Sequence, residues 1–283
     1  MRYYIVDAFT NRPFGGNPAG VVLLGQDGAF PSDELMLHIA AELRYSETAF
    51  VRQDGPAEFT VRYFTPRAEV DLCGHATIAT FGTLAQEGIV TDSTLCVNHT
   101  LAGNLQVLAG TRVMMQMAKP MVIDKNIDTE RLHRIMAGEQ VARWPNLPIE
   151  IVSTGLPDII MPVADVDDLQ ALRPDMDALA QLSQQLEVTG VHAVALTDDG
   201  FTAHVRNFGP LYGVPEESAT GTANAALTHW LQRRGQVRRG EECRFVQGEA
   251  MGRPSVVATT LRRDGTIWVG GTCCIVARGS LLE

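Results

Sequence analysis

Two short runs in this chain could do chemistry. Cys73-Gly74-His75-Ala76 and Thr220-Gly221-Thr222-Ala223 each place a glycine and a small residue at the start of a helix-forming stretch, and the two glycines lie 147 positions apart. The first turn of a helix carries unpaired N–H groups and partial positive charge, so it is a seat for a carboxylate or an oxyanion. A third residue stands out because it has no counterpart. Glu47 aligns, at an offset of 144, with Val191. One acid in a duplicated frame suits a site that moves one proton with one carrier. In an apolar cleft its pKa is expected to rise toward neutrality, where it can both give and take that proton. A lone glutamate is more often a solvated strand end, and a lone Gly-x-Ala merely a helix start. The repeat is what lifts both above that reading.

The elements that must position these residues are legible as two copies of one unit. Gly74/Gly221, Ala76/Ala223, Ala79/Ala226, Leu84/Leu231 and Gly88/Gly235 pair at 147, and Arg62…Pro66 pairs with Arg206…Pro210 at 144. No charge occurs between Gly74 and Ala85, so the first helix is expected to be wrapped by other elements rather than to lie on a surface. Around it the periodicity predicts strands at 3–9, 21–24, 47–52, 58–64, 95–97, 103–108 and 112–117, with a helix capped by Ser32. The second copy predicts strands at 150–153, 159–162, 191–196, 201–208, 244–247, 255–260 and 266–269, a helix near 175–186, and the helix after Gly221. This is an α+β chain of two pseudo-symmetric, barrel-like halves, each around a central helix. The expected halves are 1–119 and 120–269, with a last apolar strand within 270–283 crossing back to the first. Arg62 and Arg206, present in both copies, are read as structural anchors.

Composition bounds the function. The 283 residues suffice for two domains with real cores, and a net charge of −10 with pI near 5.2 argues against a nucleic-acid partner or an anionic membrane surface. No apolar run approaches a membrane span, and the N-terminus lacks the apolar core of a signal peptide. Five cysteines without CxxC spacing and seven scattered histidines suggest neither a disulfide framework nor a metal site, and a reducing cytoplasm is the expected setting.

The blocks DAFTNRPFGGNPAGVVL, LRYSETAFV, RYFTPRAEVDLCGHATIAT and FGPLYGVPEESATGTANAAL, in that order over both halves, resemble the phenazine-biosynthesis isomerase (PhzF-like) family. The resemblance implies a diaminopimelate-epimerase-like fold with a cleft between the halves, no cofactor, a homodimer, and proton-transfer isomerisation of a small carboxylated substrate. It implies that Glu47 is the proton shuttle, that His75 and Glu217 complete the catalytic set, and that Gly74, Ala76, Gly221, Thr222 and Asn17 line the substrate. Where the family reads Asp-Pro-Ala-Thr-Gly-Ser, this chain has Glu217-Ser218-Ala219-Thr220-Gly221-Thr222, which leaves substrate identity open. Two rivals follow. A two-thiol racemase would need a second cysteine, but the partner of Cys73 is Thr220, so Cys73 is read as packing. A binder without chemistry would retain the cleft and fail to exchange a substrate proton with solvent deuterium.

Overall fold

The chain's inward-facing strand positions and its two largely buried central helices underlie the architecture of the computed structural model, which describes residues 1–25, 28–137 and 145–281. The chain divides into two compact units, Met1–Gln116 with Gly270–Glu283, and Met117–Val269.

In the first unit, β1 (Arg2–Ala8) and β2 (Asn17–Leu23) form an antiparallel pair. Helix α1 (Asp33–Leu43) then crosses over so that β3 (Thr48–Gly55) lies parallel to β2. Ser32 caps α1 by accepting from Leu35 N at 3.2 Å, and Arg44 ends it in the left-handed region at φ 60°. Next come β4 (Glu58–Phe64) and β5 (Glu69–Val70), then α2 (Gly74–Gln86), β6 (Thr94–Thr100), β7 (Gly103–Ala109) and β8 (Val113–Gln116). The C-terminal strand Cys273–Ser280 pairs antiparallel with β1. Every residue of α2 from His75 to Leu84 is buried, among strands β1, β2, β3, β7 and β8 and the C-terminal strand. Gly82 shows how tight that packing is. A Cβ there would lie 2.0 Å from Cys273 Sγ, so no larger side chain fits. Phe59 meets Phe81 of the helix edge-on, with ring centroids 5.6 Å apart.

The second unit opens with β9 (Met121–Ile123) and α3 (Thr129–Ala137), followed by β10 (Glu150–Ser153), β11 (Pro157–Pro162), α4 (Val166–Ala171), α5 (Met176–Leu186), β12 (Gly190–Leu196), β13 (Ala203–Gly209), β14 (Val214–Glu217), α6 (Gly221–Arg233), β15 (Glu242–Gln247), β16 (Ser255–Leu261) and β17 (Ile267–Gly271). Its pairings follow the order of the first unit. β10/β11 is antiparallel, β11/β12 parallel, β12/β13 antiparallel, β13/β15 parallel and β15/β16 antiparallel. These match β1/β2, β2/β3, β3/β4, β4/β6 and β6/β7. β12 is buried on both faces. Val191, Ala193 and Ala195 pack toward α3, α4 and α5, while Val194 packs with Trp230 and Leu231 of α6.

α3, α4 and β9 were not anticipated. Asp128 Oδ1 accepting from Arg131 N at 2.9 Å, and Asp165 Oδ1 accepting from Asp168 N at 2.9 Å, start the two helices. Asp and Asn caps before short amphipathic stretches are the local sign of them. The duplicated arginines are anchors. Arg62 binds Glu69 through Nε and Nη2 at 2.7 and 2.6 Å, and Arg206 binds Glu216 in the same fork at 2.8 and 2.9 Å. Arg206 Nη1 also donates to the Leu169 and Leu172 carbonyls at the end of α4, at 3.1 and 3.0 Å.

Candidate active site

In the first unit, the left-handed turn after α1 delivers Ser46 and Glu47 to the edge of β3. Gly20 N donates to the Glu47 carbonyl at 3.1 Å. That close approach of β2 requires glycine, since a Cβ at Gly20 would lie 2.7 Å from Thr48 Oγ1. From the other side, extended Cys73 leads into α2 and His75 is its second residue. Glu47 Oε2 lies 3.2 Å from His75 Nε2, and Ser46 Oγ is 3.2 Å from the same nitrogen. Cys73 Sγ lies 3.4 Å from His75 Nδ1 and 3.8 Å from Nε2. Behind them Thr77 Oγ1 donates to the Cys73 carbonyl at 2.7 Å, and it is held by Tyr63 Oη, which accepts from Asn98 Nδ2 at 3.0 Å.

This environment reverses one expectation. Burial pushes the Glu47 carboxyl up, as anticipated. The contact with His75, the charge of that ring, and the Ser46 and Cys73 donors together outweigh burial and hold its pKa at about 2. For His75, burial pushes down, but the neighbouring Cys73 and Glu47 raise it well above its ordinary value. Burial, reinforced by the Glu47 charge, lifts the Cys73 thiol to about 11. The unit therefore rests as a Glu47 carboxylate against an imidazolium, beside a neutral thiol. The approach is ionic rather than a well-aligned hydrogen bond, and Glu47 Oε2 has no other hydrogen-bond partner among the described residues.

The second unit builds its helix start differently. Glu217, at the end of β14, accepts from Thr220 Oγ1 at 2.6 Å. Gln247 of β15, fully buried, ties both together. Its Nε2 donates to the Glu217 carbonyl at 2.8 Å and to Thr220 Oγ1 at 2.9 Å, and its Oε1 accepts from Thr220 N and Asn224 Nδ2 at 3.1 and 2.9 Å. Sequence reasoning missed Gln247. Its signal was parity, because Phe245 two positions earlier faces the α6 core, so position 247 is an inward-facing polar residue. Beneath lie Asp158, His192 and Asn207. His192 Nδ1 is 3.3 Å from Asn207 Nδ2 and Nε2 is 3.4 Å from Asn224 Oδ1, contacts that suit a neutral ring, and burial pushes its pKa down to about 4. Burial pushes Asp158 up to about 7, with the Asn207 contact opposing and the Glu217 charge adding.

Both helix starts share one feature. α1, α4 and α5 are capped by Ser32, Asp165 and Asp175, whereas neither Cys73 nor Thr220 makes a side-chain cap bond to its helix. Their first amides are thus not satisfied in the way the other helices' are. Gly74 and Gly221 stand at these starts, and neither has a positive φ. A Cβ at Gly74 would meet only Met115 Cε at 3.7 Å, an ordinary contact, so its bareness leaves room above the amides. Ala76 is fully buried, and its amide lies against the Cys73 thiol. Asn17 is buried at the start of β2 opposite Ala8. The Thr222 carbonyl accepts from Thr154 Oγ1 at 2.9 Å. The first unit thus gathers Glu47, Cys73 and His75, and the second gathers Glu217, Thr220 and Gln247.

Residues 6–279 match the family described as phenazine biosynthesis-like protein, PhzC-PhzF. The chain belongs to that family. It is 34% identical over 295 residues to an uncharacterised isomerase of Deinococcus radiodurans, covering 98% of this chain and 94% of that one. It is 31% identical over 276 residues to trans-2,3-dihydro-3-hydroxyanthranilate isomerase of Pseudomonas fluorescens, covering 90% and 88%. The structure of a Bacillus anthracis PhzF-family protein superposes with a TM-score of 0.88 at 27% identity, over 100% of this chain and 99% of that one. A hydroxyproline epimerase from Agrobacterium vitis, solved with bound trans-4-hydroxy-L-proline, shares the fold alone at 14% identity and a TM-score of 0.66. This PhzF-family member is an isomerase with the α+β, epimerase-like fold. No helix among the described residues is long and apolar enough to cross a membrane.

Proposed function

We propose that this isomerase moves a proton on a small carboxylate-bearing substrate without a cofactor, with Glu47 as the proton carrier. The observation that carries the reading is the Glu47–His75 pair set at an uncapped helix start. A carboxylate with a pKa of about 2 is a poor base toward carbon. A substrate whose carboxylate or carbonyl takes the His75 hydrogen bond relieves Glu47 of its partner. Glu47, still buried, then rises in basicity, which is the direction catalysis needs. It removes a proton from one carbon and returns it to another position of the same substrate, so no net charge or redox equivalent changes. The partial positive charge at the start of α2 suits the substrate's carboxylate. Cys73 is assigned no proton, since burial keeps its thiol protonated and its repeat counterpart is Thr220.

The P. fluorescens relative acts, by its name, on an amino- and hydroxyl-bearing cyclic carboxylate, and substrates of that chemistry are the first to test. Glu47→Gln keeps size and polarity but cannot accept a proton at neutral pH. It is expected to lower turnover and solvent-deuterium exchange by about 10²–10⁴-fold while leaving substrate affinity nearly unchanged. Exchange at the wild-type rate would remove Glu47 from the role. A homodimer in the cytoplasm completes the reading, and sedimentation of the purified protein checks the assembly.

A further inference from the structure

Glu47, Cys73 and His75 bring three different ligand-type atoms within 4.8 Å of one another. No metal signature is visible along the chain because the donors come from a strand edge and a helix start 26 positions apart, and tertiary packing alone joins them. Their separations have a chemical meaning. In tetrahedral zinc sites, metal–sulfur bonds near 2.3 Å and metal–nitrogen and metal–oxygen bonds near 2.0–2.2 Å set donor-to-donor edges of roughly 3.3–3.6 Å. Here Glu47 Oε2 to His75 Nε2 is 3.2 Å, and Cys73 Sγ to the same nitrogen is 3.8 Å. All three donors lie within 4.8 Å of one another, so side-chain rotations that move a donor by about an ångström would bring them to three corners of such a tetrahedron. Ser46 Oγ, 3.2 Å from Nε2, is placed to orient a water in the fourth.

We propose that this triad is a preformed site for a thiophilic divalent cation of the zinc class, which blocks the enzyme by coordinating Glu47. The thiol and the imidazolium each give up one proton on binding. A thiolate, a carboxylate and a neutral imidazole then enclose the divalent ion in a complex with no net charge, which a site with Cys73 and His75 both buried can hold. The mixed sulfur, nitrogen and oxygen set selects zinc or cobalt over magnesium or calcium, which take oxygen donors. The blocking arm rests on Glu47 being the proton carrier; the binding arm does not.

The experiment titrates the intact, reduced protein with cobalt(II) and follows the near-ultraviolet thiolate-to-cobalt charge-transfer band. Zinc competition and substrate turnover are measured alongside. One equivalent is expected to raise the band, zinc to abolish it, and a chelator to restore turnover. Cys73→Ser, which leaves a side chain of similar shape, is expected to lose the band and to weaken zinc binding by on the order of 100-fold, both read by direct titration. Magnesium at the same concentrations is expected to do nothing. Absence of the band in wild type, or its persistence in Cys73→Ser through Cys243, Cys273 or Cys274, overturns the site. A band that forms while turnover continues upholds the site and overturns Glu47 as the carrier, so the two readings fail separately.

Discussion

Asp158 offers the sharpest quantitative test of the fold's electrostatics. It lies on β11, 1% exposed, on the strand face that looks toward α6. Its Oδ1 takes only a 3.5 Å contact from Asn207 Nδ2, and its Oδ2 has no hydrogen-bond partner among the described residues. The charged group that bears on it is Glu217, which adds to the upward push of burial. A folded pKa of about 7 stands roughly 3 units above the ordinary aspartate value near 3.9, equivalent to at most about 4 kcal/mol. The sign is fixed by proton binding. Between about pH 4 and pH 7 the folded state holds a proton that the unfolded chain has released, so stability falls as pH rises through that window and the loss is complete above it. Asp158→Asn keeps the shape and removes the ionisation. In urea melts at about pH 4, 6 and 8, the variant is expected to match wild type at the acid end and to gain on the order of 2–4 kcal/mol over it at the alkaline end. The titrations of Glu47 and His75 occur in both proteins and cancel from the difference. A variant less stable than wild type at about pH 8, with the pH slope unchanged, would mean that Asp158 is ionised and well satisfied in the fold, and the reasoning would be wrong.

Three further outcomes follow from named contacts. Gly190→Ala drives a Cβ to 1.8 Å from the Phe208 carbonyl oxygen, so the β12/β13 pair must part, and soluble yield and melting temperature are expected to collapse; a melt unchanged within a degree or two would contradict the packing. Gln247→Ala leaves Thr220 N and Asn224 Nδ2 without their shared acceptor, which is expected to cost about 1–3 kcal/mol in urea melts, and an unchanged midpoint would contradict the network. His75→Asn removes the ring that holds Glu47 down. The ¹³C titration midpoint of that carboxyl is therefore expected to climb from about 2 to above its ordinary value near 4.3, and a midpoint that stays put would assign the depression to Ser46 and Cys73 instead.

By itself, the sequence determined whatever depends on periodicity and local chemistry. The two helices at Gly74 and Gly221, the Ser32 cap, and the strands flanking them follow from patterns within a dozen residues. Arg62 and Arg206 were legible as anchors because a side chain repeated in register answers to the frame rather than to the substrate. What the sequence could not contain is any property that sums over distant partners. Glu47 was expected to be a raised acid because an apolar cleft raises a lone carboxyl, but its depressed pKa depends on His75, which a different element delivers. Gln247 looked like an ordinary strand residue and Asp158 fell just outside its expected strand, until parity and packing turned both inward. The grouping of Cys73 with Glu47 likewise exists only once α2 is packed within its strands. Pattern is set along the chain, whereas charge, burial and coordination geometry are set across it, and the tertiary structure alone decides those.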